Sequence, residues 1–460
     1  MEINHLNALR LGFSTSASKE IKKLGLKNYI QTQLHATNHL TAPDFIRNSP
    51  KSLSELQELR EKMDANGANQ TFELKVIIKV RNDWKAFYLQ RCFETANPLR
   101  EKINLFFQNH FVSTLQSVKV PYWIFKYYET INRHSTGNYK TLVREILYTN
   151  AMIKYLDNQQ NRKGKSNENL ARELLELFTL GEGNYSENDI KQTALALAGL
   201  AFGEEKGQYR TAWKDNSIKT VFNKSGNFII DDVIEIIFEQ ERTPYFIAEK
   251  LLKWFFYDNP TVEKINKYGT LLKSYQFELK PFFQQMFEEE CQESKGGNQI
   301  KNPLIYLFQI HQDLNLKPNY TLMAFFLKNQ SMDVFDQPNV KGWKGGRDWL
   351  TAQIYQDRKQ LLDLITDGHP KYLSMLKRRL EKFDVGEISF QPKLVIENSI
   401  NAKTILTELT NRMIFNADSD MQFALNQLLK YDFDPKADHA DQAILKVYRY
   451  LAQSPEFQII

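Results

Sequence analysis

The sequence predicts an all-α protein, a large multi-helix array with one short β-hairpin insertion near residues 208–222. Three observations carry that expectation. Apolar residues recur at helical spacing through most of the chain, strand-like alternation is scarce, and glycines stand where the periodic stretches stop. The first helix is expected near His5 to Leu11, ending at Gly12, and the second opens after Ser16 or Ser18 and stops near Gly25. Further helices are predicted over Ser54–Met63, Leu74–Thr95, Leu99–Gln116, Pro121–Arg133 and Lys140–Leu156. Asn169–Leu180, Glu187–Leu200, Asp231–Phe238 and Pro244–Tyr257 follow. Between them Gln208–Trp213 and Lys219–Phe222 are β-rich, and Lys214-Asp215-Asn216-Ser217 has turn chemistry, which predicts the hairpin. After Lys295-Gly296-Gly297-Asn298 helices resume, a glycine- and tryptophan-rich loop fills Pro338–Trp349, and Ser454-Pro455-Glu456 has the look of a helix start.

The 460 residues form one unit on this reading, with lobes at 1–202, 203–335 and 336–460. Hydrophobic residues at 42% and charged residues at 25% are a globular composition, not that of a disordered chain. A net charge of +5 spread over this length builds no single-sign field, so no nucleic-acid partner is expected. Two cysteines, Cys92 and Cys291, exclude a disulfide scaffold and multi-cysteine metal sites, and are expected to be buried thiols. The start, Met1-Glu2-Ile3-Asn4-His5, has neither a basic nor an apolar leader region, and no apolar run reaches the roughly 18 residues of a membrane span. A cytoplasmic location is the expectation.

Chemistry concentrates in Asn167–Gly181. At about 100° per residue, Leu170, Leu174, Leu177 and Phe178 fall on one side, and Glu168, Asn169, Arg172, Glu173 and Glu176 on the other. The plain reading is a solvated face laced by pairs of Arg172 with Glu168 and Glu176. The functional reading is acid/base equipment on a cleft, in which Arg172 keeps one carboxylate ionised while burial raises another. His110 lies in line with Ile103, Phe106, Phe107 and Thr114, so it faces other helices. It is either a satisfied core imidazole or a base or metal ligand meeting Glu168 or Glu173. The preceding loop, Asp157 to Glu168, has the twelve-residue length of a calcium loop, but Arg162 replaces the required glycine and Lys163 and Lys165 add positive charge. A looser divalent-cation site using Asp157 and Glu168 stays open. Gly342–Trp349 lacks the spacing of a phosphate loop and reads as a tight turn pinned by Trp343.

Arg100-Glu101-Lys102, Asn109-His110-Phe111, Tyr155-Leu156-Asp157-Asn158 and Asn167–Gly181, with Asn339-Val340-Lys341-Gly342-Trp343, form a pattern that resembles the bacterial family called domain of unknown function 1800. The likeness covers nearly the whole chain. It implies a helical fold built as one unit, and raises His110, Glu168, Arg172 and Glu173 as catalytic candidates, with Asn109, Asn167, Asn169 and Trp343 as substrate-binding candidates. It also implies a partner resembling sulfatases and alkaline phosphatases, and an exported location for many relatives. Where those relatives tend to carry a histidine-aspartate pair in the hairpin, this chain has Lys214-Asp215. The expected function is a hydrolase-like enzyme acting on a polar or polymeric substrate; the alternative is a helical binding or scaffold protein.

Overall fold

The computed structural model describes residues 1–460 except 38, 66–69, 294, 295, 298, 369, 381–384, 386, 387, 398, 431 and 432. The Lys295-Gly296-Gly297-Asn298 break therefore lies partly outside the described residues. Helices dominate the rest, and four short strands interrupt them.

Local chemistry accounts for where the helices start. Proline occupies the first turn of Pro98–His110, Pro121–His134 and Pro303–Asp313, where its missing N–H costs no helical bond. Ser186 and Asp189 form a reciprocal cap at the head of Glu187–Leu197. The same chemistry divides two stretches that periodicity reads as continuous. Lys140–Leu156 is split into Tyr139–Leu147 and Asn150–Tyr155, because the Thr149 hydroxyl accepts from the Met152 N–H and begins a new helix. Leu99–Gln116 breaks at Phe111, and Thr114 caps the separate turn Leu115–Val118.

The β content falls near the expected place but pairs differently. β1 (Leu200–Ala201) pairs antiparallel with β2 (Gln208–Tyr209), and β3 (Lys219–Val221) with β4 (Lys224–Gly226). Gln208–Trp213 and Lys219–Phe222 are thus not each other's partners. Thr211–Trp213 turns as a 3-10 helix, and Phe222-Asn223, both at positive φ, make the tight turn between β3 and β4. Ser454-Pro455-Glu456 leads into another 3-10 turn, Glu456–Gln458.

The main core draws residues from Leu6 to Ile460 into one apolar cluster. Long-range ties cross it: Lys85 pairs with Asp336 at 2.9 Å, the Leu115 N–H donates to the Phe335 carbonyl at 2.9 Å, and Trp84 packs on Phe335. Cys92 and Cys291 are both buried free thiols. Among the described residues no helix is long and apolar enough to cross a membrane.

Arg100-Glu101-Lys102 has an architectural part in this frame, since each side chain reaches a different neighbour. Arg100 donates to the Asn132 carbonyl at 3.0 Å. Glu101, wholly buried, pairs with Arg91 at 2.8 Å and accepts from the Tyr128 hydroxyl at 2.8 Å. Lys102 donates to the Leu9 and Arg10 carbonyls at 2.8 and 2.9 Å, and burial lowers its ammonium to about 7.

Candidate functional site

The predicted helix Asn169–Leu180 is α-helical only over Asn169–Glu173 and continues as a π segment, Leu174–Thr179. The Leu180 N–H reaches the Leu175 carbonyl at 2.9 Å, five residues back. Such wide turns recur at functional sites because they re-aim the side chains of a helix. Gly181 closes the segment at φ +85°, and a Cβ there would lie 2.8 Å from the Phe246 ring, so glycine lets the helix Arg242–Phe255 approach.

On one side of this segment stands His110. Its Nε2 lies 2.9 Å from the Tyr139 hydroxyl and 3.3 Å from the Phe178 carbonyl, while Tyr139 donates to that same carbonyl at 2.5 Å. Nε2 therefore carries the proton and donates to the Tyr139 oxygen. The ring stacks on Phe106 at 5.6 Å and meets Phe111 and Phe178 edgewise or tilted. Burial, with the Lys250 ammonium second, pushes the imidazole down to about 3, so it stays neutral. Its partners are a phenol and a backbone carbonyl rather than Glu168 or Glu173.

The opposite side is partly wet. Arg172 donates to both oxygens of Glu187 at 3.0 Å and lies 3.4 Å from Glu168, an exposed arrangement of the kind that contributes little to stability. The expected Arg172–Glu176 pair is replaced by Glu187, from the next helix. Glu173 is half-buried and has no hydrogen-bond or ion-pair partner among the described residues. Burial first, and Glu176 second, raise its carboxyl above the ordinary range, against the opposing pull of Lys341 and Arg172. Glu176 accepts from the Tyr185 hydroxyl at 3.0 Å and pairs with Lys341 at 3.4 Å.

Lys341 is delivered by a docked loop. Asn109 Oδ1 accepts from the Trp343 N–H at 2.7 Å, and a Cβ on Gly342, at φ +79°, would fall 2.4 Å from that oxygen. Glycine is required for so close an approach, and Trp343 is buried behind it. Asn109 and Trp343, proposed for substrate, thus hold each other. Lys250 completes the group: largely buried, its ammonium sits 5.3 Å from the Phe246 ring, and burial followed by Lys253 lowers its pKa. The Lys341 charge acts on both Glu173 and Lys250. Sequence reasoning passed over Lys250 and Lys341; the glycine-tryptophan run beside Lys341 was the available signal, and Lys250 had none.

The remaining candidates belong to the Asp157–Glu168 loop. Asn158 donates to the Leu197 and Leu200 carbonyls at 3.2 and 2.8 Å, and Asn161 to that of Ala194 at 2.8 Å. Arg162 lies over the Trp213 ring at 3.6 Å. Asn167 accepts from the Asn169 N–H at 3.0 Å, leaving the Asn169 side chain exposed. Asp157 accepts from Gln159 at 3.1 Å. These contacts staple the loop to its neighbours. Among the described residues no group of three or more His, Cys, Asp or Glu is placed to hold a metal ion.

Fold and site together define a predominantly helical protein in which a half-buried carboxylate beside a π segment meets the charge of a lysine on a docked loop. The chain belongs to the family described as protein of unknown function, DUF1800, whose profile matches residues 5–459. Neither the curated proteins nor the solved structures hold a match to it.

Proposed function

We propose that this protein is a hydrolase-like enzyme acting on a polar or polymeric substrate from the face that Glu173, Lys250 and Lys341 share. The observation that carries the reading is Glu173, a half-buried carboxyl without a hydrogen-bond or ion-pair partner among the described residues, whose pKa is raised so that it holds a proton it can give up. In this reading Glu173 protonates the leaving oxygen, Lys341 holds an anionic group, and Lys250 is the second group whose pKa is displaced toward neutrality. His110 and Arg172 move from chemistry to architecture and surface pairing.

The test is turnover of chromogenic glycosides, esters and phosphate esters by the whole chain. Wild type is expected to work best below the Glu173 pKa, and Glu173→Gln to lower kcat by about 100-fold or more. Equal rates in the two proteins, or no turnover by wild type, would overturn it.

A second reading, a binding or scaffold protein acting with a sulfatase- or alkaline-phosphatase-like partner, draws support from His110 and the loop asparagines. Their hydrogen bonds are spent on packing, as in a network that fixes a fold. Retention of a polar polymer by wild type and Glu173→Gln alike, without turnover, would favour it. Metal analysis of protein purified without chelator tests the remaining proposal of a divalent cation at Asp157 and Glu168.

A further inference from the structure

A second cleft, sharing no residue with the Glu173 face, lies between the helices Ile3–Leu11, Ser18–Leu24 and Ala402–Met413. Its volume of about 620 Å³ is within the range of small-molecule sites. The charges around it are unevenly satisfied. Glu397 pairs with Lys19 at 2.8 Å, and Glu408 accepts from the Glu397 N–H at 3.0 and 3.1 Å. Glu2 stands 3.9 Å from His5.

Three cations keep donors to spare among the described residues. Arg412, with its side chain 12% exposed, donates from Nη1 to the Val395 carbonyl at 3.0 Å, while Nε and Nη2 lack hydrogen-bond partners among the described residues. Its nearest carboxylates, Asp313 and Glu408, both stand at 3.9 Å, beyond hydrogen-bond reach. With those carboxylates near but not hydrogen-bonded, a largely buried guanidinium keeps donors that a bound anion could fill. Lys22 and Lys403, both exposed on the lining, have no ion-pair partner among the described residues. The lining hydroxyls of Ser18 and Thr407 are likewise unengaged among those residues and add donors that suit a hydroxylated molecule.

We propose that this cleft binds a small polar anion, a phosphate or carboxylate group carried on a hydroxylated body, with Arg412, Lys22 and Lys403 as its charge partners. Three probes titrated calorimetrically into the whole chain, in about 50 mM salt to limit screening, test it: glucose 6-phosphate, glucuronate and glucose. At least one anionic probe is expected to bind and glucose is not. A preference between the two anions tells a phosphate ligand from a carboxylate ligand.

Arg412 also holds the Val395 carbonyl, so the decisive variant is the exposed pair, K22A with K403A. It is expected to weaken binding by about five- to ten-fold, while K27A, outside the cleft, leaves it unchanged. The proposal falls if neither anion binds, if glucose binds as well as they do, or if the lysine pair can be removed without loss.

Discussion

The segment Asn169–Thr179 has a dry side and a half-wet side, and the two treat ionisable groups in opposite ways. Around His110 the imidazole Nε2 and the Tyr139 hydroxyl meet fixed partners, and burial holds the ring neutral. Around Glu173 a carboxyl is carried partly out of water with no hydrogen-bond partner among the described residues. A buried polar group with its bonds complete is a structural part, whereas one left incomplete is where chemistry can be sought. The sequence motif shared by these residues does not separate those roles; their surroundings do.

The contrast can be broken most forcefully on the dry side. His110→Ala leaves a cavity beneath Phe106 and removes the donor to Tyr139, and should cost about 3 kcal/mol in a denaturant melt. A variant as stable as wild type would mean that the imidazole is not a packing element. The loop dock comes next. Gly342→Val forces a side chain against Asn109 and requires a β-branched residue at positive φ, with an expected loss of about 2 kcal/mol. Lys341 should then become more reactive toward an amine label.

On the half-wet side the effects are smaller and depend on pH. The Glu173 pKa is raised in the folded chain, so the native state binds more protons than the unfolded state between the ordinary and raised values. Stability therefore falls as pH rises through that window. Glu173→Gln should match wild type in acid and exceed it near neutrality by less than about 1 kcal/mol, after allowing for solvent screening. An advantage confined to acid would reverse the assignment. Arg172→Ala should have the least effect, a change within the error of a denaturant melt, because the guanidinium is exposed and its two acids stay solvated.

Much of the fold was legible in advance, for a physical reason. Helical periodicity reports burial of one face, and most of this chain buries one face at a time. The breaks at Thr114 and Thr149 were not legible, because a threonine within a periodic run reads equally as a helix face and as a cap. Nor was the π segment, since Leu174, Leu175 and Phe178 keep apolar spacing under either pattern of bonding. His110 was correctly expected to look inward, but it donates to a Tyr139 oxygen that is itself held by the Phe178 carbonyl, and a backbone oxygen leaves no mark on residue identity. Lys250 and Lys341 lie far along the chain from Glu173. The loop docked at Gly342 carries Lys341, whose charge acts on both Glu173 and Lys250.

Another buried cation bears on how the chain is made. Arg358 is fully enclosed and donates to Gln330 at 3.0 Å, to the Lys301 carbonyl at 3.1 Å and to Gln458 at 2.9 Å. During synthesis its last acceptor emerges from the ribosome a hundred residues after it does. Until then a guanidinium bound for the interior has an incomplete set of bonds, which favours keeping that region open. The full set of bonds around Arg358 thus depends on the 3-10 turn Glu456–Gln458, a hundred residues further along the chain.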